Sequence, residues 1–261
     1  MSRWVVSQAV VAKAFIETRR YLLSALSGIG MQCVIFLIIF AGSRSLGGLS
    51  IGGSGPGGGP EGLVVAYLVW MLAIMSFEEL AGSVARESAV GTLEQLFLTR
   101  AGFAWVGISY MIGRYIVILA PAAILLLFMM ATTGHWLHLD LPSLLGLFPI
   151  VVATPCGLGF IMGGLALVYK HVQAFLQVFI VAFPAALVVP LDQYPWVRFL
   201  PLAQGNDLLR RVMVDGLRIW ELPVREVAAG VGVGALYLLA GFLFFSYCLK
   251  VARDRGTLGQ Y

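Results

Sequence analysis

The chain has 261 residues, 60% of them apolar and 11% charged, with a formal net charge of +4 and a mean hydropathy of +0.92. Soluble domains hold about 45–50% apolar and about 25% charged residues, so a water-soluble globule is excluded and lipid must be the main solvent. The small positive balance reads as loop asymmetry across a bilayer, not as a nucleic-acid footprint, and no nucleic-acid partner is expected.

Residues 2–20 read as an amphipathic helix lying in the bilayer interface. Trp4, Val5, Val11, Ala12, Phe15 and Ile16 share one arc and Arg3, Ser7, Lys13, Glu17 and Arg20 the other, with Gln8, Arg19, Val6 and Val10 blurring the division. No cleavable signal peptide is evident. A crossing helix needs about 20 mostly apolar residues. Six runs qualify, at 22–43, 63–84, 108–134, 143–168, 172–191 and 227–249. The expected fold is therefore an all-α membrane protein, a single transmembrane domain of six helices. Only Tyr169-Lys170-His171 separates the fourth and fifth runs, which predicts a tight helical hairpin. Gly157, Gly159, Gly163 and Gly164 suit close helix approach.

Between these runs, 47–60 (GGLSIGGSGPGGGP) reads as a flexible loop that lacks the GK[ST] of a nucleotide cradle. His135, His138 and Asp140 are spaced like metal ligands but supply too few donors, and they mark the lipid–water boundary at the end of the third run. Residues 192–225 are too polar to span. Leu208, Leu209, Val212, Met213 and Leu217 fall on one side and Asp207, Arg210, Arg211 and Arg218 on the other, as in an external interfacial or re-entrant helix that Pro201 opens. Cys33, Cys156 and Cys248 sit apart in apolar runs and read as small buried hydrophobes, not as a disulfide or metal framework.

Lysine and arginine set the orientation. With both termini inside, the cytoplasmic set is Arg3, Lys13, Arg19, Arg20, Arg86, Arg100, Lys170, Lys250, Arg253 and Arg255; the external set is Arg44, Arg198, Arg210, Arg211, Arg218 and Arg225. The bias places the N- and C-termini in the cytoplasm and the chain in the cell's inner membrane.

Charges inside spans are costly and usually paired or functional. Glu78 and Glu79 lie roughly 22–24 Å past the outer start of the second run, at about 1.5 Å per residue. Arg114 enters the third run from the inner side, so the three groups fall at similar depth and are candidates for an ion pair at a cytoplasmic gate. Snorkelling to headgroups is the plainer alternative. Gln173 and Gln177 share a face at i, i+4; with Gln32 they are candidates to line a substrate path, or to hydrogen-bond between helices.

The loop 85–104 faces the cytoplasm in this orientation. Read as a helix, it places Leu93, Leu96 and Phe97 on one side and leaves Glu87, Glu94 and Gln95 for other contacts, with Gly91-Thr92 breaking the preceding span. The pattern Arg86-Glu87-x-x-x-Gly91-Thr92-Leu93-Glu94-Gln95-Leu96, followed by Gly113-Arg114, resembles the type-2 ABC exporter permease family, and the resemblance extends over nearly the whole chain. Arg100 stands where that family often has proline, and the lack of a large external domain argues against its lipoprotein-releasing and macrolide-efflux branches. The resemblance implies a transmembrane subunit with no nucleotide site, cofactor or catalytic residue of its own. It implies two permease subunits, identical or paralogous, with two cytoplasmic ATPase subunits that carry ATP and magnesium, and stretch 87–98 as the coupling helix. Substrates across that family include drugs, lipids, polysaccharides and lipo-oligosaccharides; the lack of a wide charged cavity signature in this sequence favours an amphipathic or hydrophobic cargo such as a drug, lipid or glycolipid. Two other classes compete. A channel or secondary transporter independent of an ATPase predicts inverted repeats or midplane relay charges, and neither is present. An intramembrane lipid-modifying enzyme would have only Glu78, Glu79 and Arg114 to work with.

Overall fold

A computed structural model of the chain describes residues 22–45, 59–90, 103–169, 173–188 and 195–254. Among them the structure is all-helical: α1 (Leu22–Ser45), α2 (Pro60–Val90), α3 (Phe103–Thr133), α4 (Leu141–Val168), α5 (Gln173–Val188), a 3₁₀ turn at Pro195–Phe199, α6 (Ala203–Met213) and α7 (Val224–Asp254). Leu26–Ser45, Pro60–Glu78, Leu141–Val168 and Val224–Ala252 are each long and apolar enough to cross a bilayer, and Val117–Thr133 is a shorter apolar stretch. The chain is thus built as a multi-pass membrane protein. The interfacial helix expected at 2–20 and the glycine loop at 47–58 lie outside the described residues.

The starts of α2, α4 and α7 and the end of α3 meet at one end of the bundle, its upper end. There His135 Nδ1 lies 3.2 Å from Glu61 Oε1, and the His138 N–H donates to the Met213 carbonyl at 2.9 Å. Ser143 accepts the Ile219 N–H at 2.9 Å and donates to Asp140. His135 and Asp140 therefore turn to different partners rather than toward one another.

α2 is the axis. Its span is 78% buried, against 11% for α1 and 17% for α7. Lipid does not reward apolar contact between helices as water does, so close packing has to hold them together. α4 makes its most extensive contacts with α7, and glycine permits them. A β-carbon on Gly157 would collide with the Tyr237 carbonyl, and one on Gly241 with the Gly157 carbonyl. Lower down, a β-carbon on Gly164 would come within 3.1 Å of Phe245 Cα. The rest of α7 turns outward, exposing Leu236, Leu239, Leu243 and Tyr247.

The expected hairpin of the fourth and fifth runs is corrected. α4 ends at Val168, but α5 packs on α2 and touches α6. Phe77, wholly buried on α2, stacks its ring 5.5 Å from Phe179 and 5.6 Å from Phe183, and so draws α5 across. α4 offers α5 no equivalent, because its small face is already filled by α7. Within the described residues α5 is a helix of 16 residues, or about 24 Å.

Candidate functional site

α2 runs unbroken for 31 residues, about 46 Å, well beyond the ~30 Å hydrocarbon core. Its apolar window closes at Glu78. The remaining turns carry Arg86 and Glu87 out of the lower end on the same rigid rod. Gly91, Thr92, Leu93, Glu94, Gln95, Leu96 and Phe97, the rest of the motif, lie outside the described residues. The backbone from the buried centre of the bundle to the start of the motif is thus a single helix. A rod of this kind transmits displacement along its axis, because each turn is held by its own hydrogen bonds.

Glu78 stands 18 residues below Pro60, and Arg114 on α3 stands 19 residues below Thr133. With the upper ends of these helices joined at Glu61 and His135, both positions lie about 27–29 Å down the bundle. The similar depth read from the sequence is therefore kept by the backbone. The side chains of Arg114 and Glu79 are outside the described residues. Glu78 is exposed on the surface of the chain, directly after the run of mostly buried residues from Gly62 to Phe77.

Gln32 and Gln177 lie on different helices and at different depths. The Tyr67 hydroxyl donates to the Gln32 carbonyl at 2.7 Å, with Gln32 Oε1 at 2.8 Å, so Gln32 ties α1 to α2 in the upper half. Gln177 is exposed on α5 near the lower end. Gln173 opens that helix, and its side chain lies outside the described residues.

The segment after α5 carries the strongest local chemistry. The helix expected in it, α6, packs against α2, α4 and α7. Its lower end is held by the Leu202 N–H on Thr154 Oγ1, 3.3 Å away. Thr154 is 13 residues down α4, a depth of about 20 Å. Gly205 allows this approach, since a β-carbon there would meet Val151 Cα at 3.1 Å. At the same level the Tyr237 hydroxyl donates to the Phe199 carbonyl at 3.0 Å. Irregular backbone at membrane depth must be buried in protein or line a polar cavity, and these two side-chain contacts satisfy part of it. Leu202 has φ +71°, the only non-glycine residue in the left-handed region among those described. Its side chain is buried, and the turn from the 3₁₀ segment into α6 is made there.

α6 is amphipathic, but its polar side finds protein. Arg211 Nε lies 2.9 Å from Asp207 Oδ2 and its Nη1 2.8 Å from Glu226 Oε2 on α7. Arg210 lies 3.5 Å from Asp207. Gln204 Nε2 donates to the Glu226 carbonyl at 3.2 Å. These groups are 17–26% exposed at the ion pairs. The sequence placed Asp207, Arg210 and Arg211 on one face correctly but gave no sign of Glu226, Thr154 or Tyr237 as their neighbours. Those residues lie on other helices, at separations no periodicity connects.

Comparison with known proteins adds no family: no protein-family model matches the chain, and no curated protein matches it at a significant level.

Proposed function

We infer that the chain is the membrane subunit of an ATP-driven exporter, moving an amphipathic or hydrophobic molecule outward across the cytoplasmic membrane. The observation that carries the reading is the continuity of α2. It joins the most buried part of the bundle to Arg86 and Glu87, the opening of the motif that resembles a coupling helix. A soluble ATPase docking on 87–98 would push on a rod whose other end forms the core. The chain itself would bind no nucleotide.

In this reading the lower end faces the cytoplasm, with both termini there. α3 and α5 supply the two further crossings that bring the total to six. Two such subunits, identical or paralogous, would face each other over two ATPases, and the cargo would pass between them beneath the re-entrant α6.

The test is co-purification with a candidate ABC ATPase subunit, together with cargo-stimulated ATP hydrolysis. The double variant Leu93→Ala, Glu94→Ala is expected to lose both, while the α7 surface variant Leu239→Ala keeps both. Retention of binding and stimulation by the double variant would remove the coupling assignment, and with it the main support for an exporter.

A further inference from the structure

Two arginines at the upper end of the bundle each lie over an aromatic ring. On the last turn of α1, Arg44 Cζ is 5.7 Å from the centroid of the Phe40 ring. In the connection between α6 and α7, Arg218 Cζ is 5.5 Å from the centroid of the Trp220 ring. Both arginines are exposed. The second pair sits in a closed turn: the Glu221 N–H donates to the Arg218 carbonyl at 2.8 Å, and the Arg218 N–H donates to Glu221 Oε2 at 2.8 Å. The Glu221 carboxylate thus serves the Arg218 backbone, and the guanidinium lies on the ring. The spans set the level of both pairs. α1 ends where α2 begins, as consecutive spans do, and Arg44 is one residue from the end of its apolar window. Arg218 precedes Ile219, whose N–H is held by Ser143, the third residue of α4. Exposed apolar surface begins beneath each pair. Leu37 lies two turns below Arg44 on the same face of α1. Past the exposed Trp220 the chain enters α7, where Val224 and Val231 share an exposed face.

A ring attracts a guanidinium through its negative face. It supplies no oxygen acceptor, so it steadies the group without using up its N–H donors. The planar fork of those donors matches the oxygens of a phosphate. A ligand that answers the whole of such a surface carries a phosphate at one end and hydrocarbon below it. A soluble anion would meet only the arginine, and an uncharged apolar molecule only the leucine and valines. The apolar part runs on without a polar rim into the outward face of α7, which marks it as surface covered by lipid and not by a docked protein.

We propose that Arg44 on Phe40 and Arg218 on Trp220 are two binding sites for the phosphates of phospholipids in the leaflet at the upper end of the bundle. Together they moor this end to the headgroup layer on two sides, at α1 and at the entry to α7. The sites do not rest on the exporter reading: an ATPase test can fail without touching them, and they can fail without touching it.

The probes are a pair of short-chain lipids that differ only in the headgroup, dihexanoyl phosphatidylglycerol and dihexanoyl glycerol. Each is titrated onto the full chain in detergent micelles, with empty micelles subtracted and bound lipid counted by native mass spectrometry. Wild type is expected to bind the phospholipid at least about tenfold more tightly than the glycerol, the factor of one charge-assisted hydrogen bond. Arg44→Gln and Arg218→Gln should each retain one phospholipid fewer than wild type, and the double variant two fewer, with glycerol binding unchanged. Trp220→Leu keeps the charge and the hydrocarbon but not the ring, and should weaken the Arg218 site by about threefold. Arg225→Gln, at a neighbouring exposed arginine, should bind as wild type does. Equal binding of the two lipids by wild type would overturn the proposal without any variant, so it stays falsifiable even if a variant does not purify. Full phospholipid binding by the double variant would overturn it too. So would a loss in Arg225→Gln as large as in Arg218→Gln, which would mean diffuse attraction and no defined site. Displacement of the phospholipid by an excess of inorganic phosphate would show sites for a free anion, and the lipid assignment would fall.

Discussion

Among the described residues, directional polar bonds between helices gather in the upper half of this bundle, beside the ring contacts of Phe36, Phe40, Tyr67 and Trp70. Above, the helices are fixed by directional polar bonds: Glu61 with His135, Ser143 with Ile219, His138 with Met213, Thr154 with Leu202, and Arg211 between Asp207 and Glu226. Below, the described contacts are prominently rings and glycines, as in Phe77 with Phe179 and Phe183, Phe160 with Phe242 and Phe245, and Gly164 against Phe245. Hydrogen bonds fail when their geometry changes, whereas ring and aliphatic contacts can slide and re-form. The upper half is thus a clamp and the lower half a bearing, and the long end of α2 leaves through the bearing.

The largest effect should come where the glycine seam is tightest. Gly157→Ala drives a methyl into the Tyr237 carbonyl on the α7 backbone and should cost about 2 kcal/mol or more, read as a lowered melting temperature in detergent. Gly232→Ala, on the same pair of helices but with nothing within 4 Å, should be neutral. Gly164→Ala lies between, because part of what crowds it is the movable Cys248 side chain. If Gly164→Ala proved as damaging as Gly157→Ala, the lower half would be no more yielding than the middle. Next comes the clamp itself. Arg211→Met leaves Asp207 and Glu226 part-buried without their shared partner and should cost about 1–2 kcal/mol. A smaller loss, about 1 kcal/mol, is expected for Thr154→Val, which removes only the hydroxyl beneath Leu202. Limited proteolysis of this variant should open the 195–202 connection before any other described segment; cleavage elsewhere first would mean that Thr154 does not fasten α6.

The positions of the helices were largely legible, because a bilayer imposes a length and a polarity that apolar runs display directly. The run at 143–168 became Leu141–Val168 and the run at 227–249 became Val224–Asp254. The extension of α2 to Val90 was not, since hydropathy stops at Glu78 while the backbone stays helical through Arg86 and Glu87. The partnership of α5 was misjudged for a related reason. A three-residue connection says that two helices are consecutive, not that they lie side by side, and the Phe77 ring that draws α5 to α2 lies just over a hundred residues before its partners. Among the candidate site residues, the comparable depth of Glu78 and Arg114 was readable by counting turns from either end.

The contact of Arg211 with Glu226 also has a consequence for biogenesis. The charges of α6 are answered by a residue that the ribosome makes 15 positions later, on the first turn of α7. When α6 emerges, its membrane site has no far wall: Gln204 lacks the Glu226 carbonyl, and Leu208 lacks Gly230. Until the last helix is made, the polar side of α6 therefore lacks the partners that α7 supplies. The final helix is the closing stave of the barrel-maker: it completes the wall that holds the piece that came before it.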